Sequence, residues 1–420
     1  MPYSAPRGTS DVLPKESPRW QYVENEFRKL CHLYGYGEFR TPTFEETELF
    51  ARSIGEHTDI VGKEMYTFLD RASRSMTLRP EGTAPIVRAY LQHKLYAEKS
   101  VGKFYYITGI FRYERPQAGR YREHHQVGVE AIGSSDPAID AEVIALAMQY
   151  LTALGIRGLD LKINSIGCPG CRADYRDALR KAVKPYVSEL CESCRARYDA
   201  NPLRMLDCKS PRCRELTANA PSIVEYLCEE CAEHLKRVLR YLDMLGIAYT
   251  QEHRLVRGFD YYTKTVFEIV SGELGAQNAV AGGGRYDGLI EELGGDPTPG
   301  VGFGSGIERA LAVMEAQGIE IPMDTHPAVF VATLGDETRE TGIKLLAELR
   351  RAGVAAEADY AGKSLKAQMK SADREQARLT VIIGEDELSR GQVKVRNMET
   401  KEETDVSLDQ AAETIEQMLS

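Results

Sequence analysis

The stretch Phe111–Gln126, FRYERPQAGRYREHHQ, joins two runs that read as strands, KFYYITGIFRYE before it and HHQVGVEAIG after it. Pro116 and Gly119 supply the loop between them. Other strand-like runs, SMTLRP, LDLKINSIG, TVFEIVSG and NAVAGGGRYDG, share the same half of the chain with the helix-periodic segments GTAPIVRAYLQH and DAEVIALAMQYLTAL. Hairpin-like links among many strands predict an α+β fold, an antiparallel sheet with helices packed on it. The stretch also interleaves Arg112, Arg115, Arg120 and Arg122 with Tyr113, Tyr121, His124 and His125. Guanidinium forks meet phosphate oxygens two at a time and stack on aromatic bases, so the hairpin is a candidate anion site. A solvated hairpin with surface arginines also fits the composition.

A chain of 420 residues divides into two or three domains, and 43% hydrophobic with 28% charged residues is ordinary globular composition. The N-terminal MPYSAPRGTSDVLPKE has no apolar centre, and the longest apolar run, VIALAMQYLTALGI, falls short of the about 20 residues that span a bilayer. No membrane role and a cytoplasmic location are expected. The net charge of -10 argues against general nucleic-acid coating but leaves room for a local basic face.

Along the chain, helical periodicity runs from Pro18 to about Leu33, with Cys31 as a small core residue, and GEFRTPTFEE reads as a strand interrupted by Pro42. From Gly167 to about Leu245 the text turns to cysteine-rich turns and helices before strands resume, the mark of an insertion. The expected organisation is a core over 1–166 and 246–322, an insertion domain over 167–245, and a small α/β domain with a mostly parallel sheet over 326–420.

Two nucleotide motifs are excluded. GKS at Gly362–Ser364 lacks the P-loop glycine five positions earlier, where Glu357 stands, and the glycines at 300, 302, 304 and 306 do not complete G-x-G-x-x-G. Bound ATP would be held by arginines. Arg309 sits in the first turn of a helix beginning at Ile307, where the dipole disfavours a cation, so it is a site candidate or an ordinary surface arginine. Glu81 in TLRPEGT serves a helix start or a ligand. RGFDYY brings Arg257, Asp260, Tyr261 and Tyr262 together, and Gln126 and Glu130 share a strand face because their separation is even. Carboxylates, an amide and phenols suit a small zwitterion.

Taken together these stretches resemble the bacterial-type histidyl-tRNA synthetases, a class II aminoacyl-tRNA synthetase family. The resemblance covers nearly the whole chain: PRGTSDVLP, FRTPTFEETELF as motif 1, TLRPEGT, FRYERPQAGRYREHHQVGVE as motif 2, LVRGFDYYTKTVFE and AGGGRYDGL as histidine signatures, and GVGFGSGIER as motif 3. It implies ATP, with Mg2+, as a substrate whose α-phosphate meets Arg112 and Arg257. Arg309 would hold the nucleotide's phosphate end and adenine, and Glu114 would complete the ATP site. It further implies that Glu81, Thr83 and Gln126 bind the amino group of histidine. Glu130 and Tyr262 would address the imidazole, with Tyr261 and Tyr286 closing the pocket. Histidyl-adenylate and pyrophosphate would form first, and histidine would then pass to the 3′ end of tRNA-His. A homodimer through motif 1, around Pro42, is implied too. The sequence departs from the family at Glu123 and His124, where glutamine and an aromatic are commoner, in the polar, glycine-rich GFGSGIER, and in TGIFR, which lacks a proline before the arginine.

The resemblance admits one alternative, the synthetase-like regulatory subunit of ATP phosphoribosyltransferase, which lacks an anticodon domain. Here Ala328–Ser420 resembles that domain, and the signature arginines are present. The pairs Cys168/Cys171, Cys191/Cys194 and Cys228/Cys231, with the wider Cys208/Cys213, fit structural zinc or free buried thiols. Zinc is no general requirement of the family, so no metal ligand is assigned. Arg172, Arg176, Arg180 and Lys184 recur every fourth residue and share a helix face, which by default reads as solvated; the resemblance sets this insertion near the tRNA acceptor stem and so implies contact with tRNA phosphates.

Overall fold

The computed structural model describes residues 3–55, 58, 60–116, 119–273, 278–321 and 326–419. Two compact units divide the chain at Ile321. In the first, an eight-stranded sheet runs in the order Gly37–Glu38, Gly102–Phe111, Glu123–Ile132, Gly300–Gly306, Ala279–Arg285, Thr263–Ser271, Leu159–Ser165, Thr250–Gln251. The six long strands pair antiparallel, and only the two-residue edge strands pair parallel with their neighbours, so the sheet is mixed at its margins. GEFRTPTFEE is not one strand: Gly37–Glu38 joins the large sheet, while Phe44–Glu46 joins a small sheet with Ser75–Leu78 and Tyr66–Leu69. Pro42 falls between them, where a missing N–H breaks no ladder.

The pleat decides which face becomes core. Along Glu123–Ile132, Val127, Val129 and Ala131 point to the helices Ser17–Leu33, Pro137–Ala153 and Ile307–Ala316, as do Phe267, Ile269, Val301 and Phe303 from neighbouring strands. Each such buried side chain contributes about 1.5–3 kcal/mol. The alternate residues, Gln126, Gly128, Glu130, Glu268, Gly302 and Gly304, are left for the opposite face.

The segment between Pro169 and Met244 is helical and packs its apolar residues, among them Tyr175, Leu179 and Leu203, into a second core shared with Tyr90, Tyr262 and Tyr286. Its last helix, Glu229–Met244, is pinned to the sheet by a buried triad. Asp140 accepts hydrogen bonds from Arg285 on both of its carboxylate oxygens, and its Oδ1 lies 3.2 Å from His234 Nε2. Burial alone would raise the Asp140 pKa, but Arg285 and His234 override it and hold it at about 2.

The second unit carries a five-stranded sheet ordered Ala356–Ala358, Val329–Thr333, Leu379–Ile383, Gln392–Asn397, Glu403–Ser407. The first three strands are parallel and the last two pairings antiparallel, so the sheet is less parallel than the βαβ text implies. No crossover helix separates Gln392–Asn397 from Glu403–Ser407, and a tight turn permits only the antiparallel arrangement.

Candidate active site

The open face of the large sheet forms the floor of a cleft of about 740 Å³. The residues that the resemblance assigns to substrates, Glu81, Thr83, Arg112, Glu114, Gln126, Glu130, Arg257, Tyr261, Tyr262, Tyr286 and Arg309, line it, whereas Asp260 of RGFDYY does not and accepts instead from Asn201 Nδ2 at 2.9 Å. Glycine makes the floor. A Cβ at Gly302 would lie 2.1 Å from Glu130 Oε2, one at Gly304 2.2 Å from Gln126 Nε2, and one at Gly282 2.7 Å from the Arg257 guanidinium. These glycines therefore let polar side chains lie flat across the sheet.

At one end Glu81 accepts from the backbone N–H groups of Thr83 and Ala84, both at 2.6 Å, capping the helix Thr83–Gln92. Thr83 Oγ1 donates to Glu130 Oε1 at 2.7 Å and Tyr286 OH to Glu130 Oε2 at 2.6 Å. Burial pushes the Glu130 pKa up to about 8, against those two hydrogen bonds, and the neighbouring Glu81 adds to the rise. Burial also raises Glu81. Tyr261 and Tyr262 close this end, their rings 4.7 Å apart.

The other end is cationic. Arg112 Nε donates to Pro80 O at 2.7 Å and its guanidinium lies 5.6 Å from the Phe259 ring. Arg309 Nη1 donates to Ala279 O at 2.7 Å. Burial lowers the Arg309 pKa, and the charges of Arg120 and Arg112 lower it further, which marks a surplus of positive charge. Burial, then Arg112 and Arg309, hold His124 down at about 3, so this ring is neutral at physiological pH. Between the two ends Arg257 pairs with Glu268 at 2.5 Å, with its guanidinium 5.8 Å from the Tyr262 ring.

The motif 2 loop is described except for Gln117 and Ala118. Several cleft residues escaped the sequence reading. Tyr106 accepts from Gln126 Nε2 at 2.7 Å, Glu268 pairs with Arg257, and Glu308 accepts from the backbone N–H of His125 at 2.8 Å. Tyr106 pairs opposite Gly128 and Glu268 opposite Gly282, so only the cross-strand register reveals them. In the expected basic stripe, Arg172 donates to Tyr262 O at 2.8 Å and Arg180 to Asp199 O at 2.8 Å. Those two arginines hold protein carbonyls, and Lys184 is exposed.

A six-strand antiparallel platform with an arginine-lined cleft on its open face, flanked by helices, is the core of a class II aminoacyl-tRNA synthetase. The family model Histidyl-tRNA synthetase matches residues 8–310, and the model Anticodon binding domain matches residues 328–418. The chain belongs to the histidyl-tRNA synthetase family. It is 54% identical over 411 residues to the histidine–tRNA ligase of Caldanaerobacter subterraneus subsp. tengcongensis, covering 98% of this chain and 99% of that protein. The apo histidyl-tRNA synthetase of S. aureus is similar in structure, with a TM-score of 0.84, 41% identity and coverage of 98% of this chain and 99% of that one. A Bacillus halodurans C protein described as an ATP phosphoribosyltransferase regulatory subunit/histidyl-tRNA synthetase shares the fold, at TM-score 0.66 and 24% identity, over 91% of this chain and 98% of that one.

Proposed function

We propose that this chain ligates histidine to tRNA-His in two steps on the one cleft. The observation that carries the reading is the cleft's polarity: a carboxylate and phenol pocket at one end, and at the other the guanidinium groups of Arg112, Arg120 and Arg309, where burial and then the charges of Arg120 and Arg112 lower the pKa of Arg309. Crowded cations favour a polyphosphate, and a buried carboxyl flanked by hydroxyls suits a ligand rich in N–H donors.

In the first step, Glu81, Thr83 and Gln126 take the amino group of histidine, and Glu130 and Tyr262 take its imidazole. Tyr261 and Tyr286 exclude water, and Tyr286 holds Glu130. Arg112 and Arg257 bind the α-phosphate of ATP, and Arg309 binds the nucleotide's phosphate end, with Glu114 beside it. Magnesium enters with ATP as part of the substrate, and Glu114 and Glu268 offer the hard oxygen ligands it takes. A histidine carboxylate oxygen attacks the α-phosphorus in line and pyrophosphate leaves, giving histidyl-adenylate. In the second, a hydroxyl of the terminal ribose of tRNA attacks the acyl carbon, its proton passes to the adenylate's phosphate, and the acyl–phosphate bond breaks as AMP departs. No side-chain nucleophile is needed: positioning and charge neutralisation supply the catalysis.

The match to an anticodon-binding domain over 328–418 favours the ligase over the regulatory subunit, which lacks such a domain. No described helix is long and apolar enough to cross a membrane, and the reading sets the chain in the cytoplasm with the translation machinery. A homodimer fits the small sheet, where Phe44 and Phe68 are 50% and 43% exposed with ring centroids 6.0 Å apart. The reading is tested by charging: labelled histidine should accumulate on tRNA-His with ATP present, and on no tRNA of other identity. A folded protein that leaves tRNA-His uncharged would point to the regulatory alternative.

A further inference from the structure

We propose that the insertion holds two tetrahedral Zn2+ ions, one on Cys168, Cys171, Cys228 and Cys231, the other on Cys191, Cys194, Cys208 and Cys213, and that these centres brace the backbone from Arg257 to Tyr262. In each group the four sulfur atoms lie within 4.8 Å of one another. A Zn–S bond of about 2.3 Å sets a tetrahedral edge of about 3.8 Å. Cys168 Sγ and Cys171 Sγ are 3.5 Å apart, and Cys191 Sγ and Cys208 Sγ are 3.8 Å apart, at that edge. None of the eight is in a disulfide. Sulfurs so close leave room for one ion and none for a multi-iron cluster.

The backbone is arranged for thiolates rather than for packed thiols. Cys168, Cys191 and Cys228 each stand at the N-cap of a helix, Pro169–Val183, Glu192–Ala200 and Glu229–Met244, and the second cysteine of each pair occupies the third helical position. Both sulfurs of each pair thus face the positive end of a dipole. The backbone N–H of Cys228 donates to Cys171 Sγ at 3.1 Å and that of Cys191 to Cys213 Sγ at 3.3 Å. Gly167 has φ +64, and a Cβ there would lie 2.6 Å from Cys171 Cβ, so the turn into the first pair admits glycine alone. Each Zn2+ displaces four thiol protons and leaves a centre of net charge about −2, against which Arg172, Arg195, Lys209, Arg212 and Arg214 stand adjacent in sequence to the cysteines or one residue away.

The first group joins the opening and closing helices of the insertion; the second ties its interior. Both frames reach the histidine signature. Arg172, next to Cys171, donates to Tyr262 O at 2.8 Å. Arg204 donates to Arg257 O at 2.8 Å, and Asn201 Nδ2 to Asp260 Oδ1 at 2.9 Å, both from the chain between Cys194 and Cys208. Arg254, three residues before Arg257, reaches back to Thr217 O at 2.7 Å. Arg172, Asn201 and Arg204 are positioning residues in this account. The metal assignment stands apart from the ligase reading and survives its failure.

The test is elemental analysis of the full-length, untagged chain purified without chelator, with thiols counted in denaturant without reductant. About two zinc ions per chain are expected, falling to about one in Cys168→Ser/Cys228→Ser and in Cys191→Ser/Cys208→Ser. Should either variant fail to fold, mercurial titration of the native protein should release both equivalents as its thiols react. Substoichiometric zinc with nine titratable thiols, iron in its place, or missing thiols that signal disulfides would each overturn the assignment. The bracing claim is read by amide exchange after zinc removal. Exchange at Gly258–Tyr262 should quicken at least about tenfold, and unchanged protection there would refute it.

Discussion

Glu130 shows how one buried carboxyl couples substrate choice to stability. Its folded pKa, raised by burial from 4.5 to about 8, means the folded state retains a proton that the unfolded chain has lost. The associated stability is fully present below about pH 4.5 and is lost as pH rises towards 8. Glu130→Gln keeps an acceptor and a donor without the ionisation. Its melting temperature relative to the parent should therefore improve between pH 5 and pH 8, while KM for histidine rises roughly 10- to 100-fold. A difference in melting temperature that is flat with pH would show that Glu130 titrates normally. A related logic makes His124, held neutral by burial and by Arg112 and Arg309, a ring rather than another cation at the arginine end of the cleft.

At the scale of elements, the glycine-rich strands are the site's foundation rather than a ligand-binding loop. Gly302→Ala would set a methyl 2.1 Å from Glu130 Oε2 and 2.4 Å from Val129 O. Denaturant unfolding should show a loss of about 1–3 kcal/mol and histidine binding should weaken. Gly288→Ala, where nothing lies within 4 Å of the added carbon and φ is -91, is the control and should cost little. Equal stability in the two variants would contradict this account of the floor. The strand parity that puts Gln126 and Glu130 together was readable in the sequence, because period two needs no partner. Tyr106 and Glu268 were not, because their place in the cleft depends on which residue lies across the ladder, and register is a tertiary property. The same holds for the cysteines. Their spacing announces pairs, but that Cys168/Cys171 meets Cys228/Cys231, across some sixty residues, is decided by helix packing. The parallel edge strands were hidden for a different reason: two residues carry no periodicity.

For the whole molecule, two units with separate cores divide the labour that the reading assigns, activation in residues 1–321 and anticodon recognition beyond them. The exposed Phe44 and Phe68 make assembly testable: the native chain should sediment as a dimer at micromolar concentration, and Phe44→Glu/Phe68→Glu as a monomer. A native monomer would remove the dimer from the account. The central claim, that the arginine end of the cleft serves adenylation of the amino acid bound at the other, is met most directly by exchange of labelled pyrophosphate into ATP, without tRNA. The native chain should catalyse exchange with histidine and with no other amino acid, and Arg257→Ala should lose roughly 10²- to 10³-fold of that rate. Exchange that ignores histidine, or an Arg257→Ala variant as active as the parent, would contradict it.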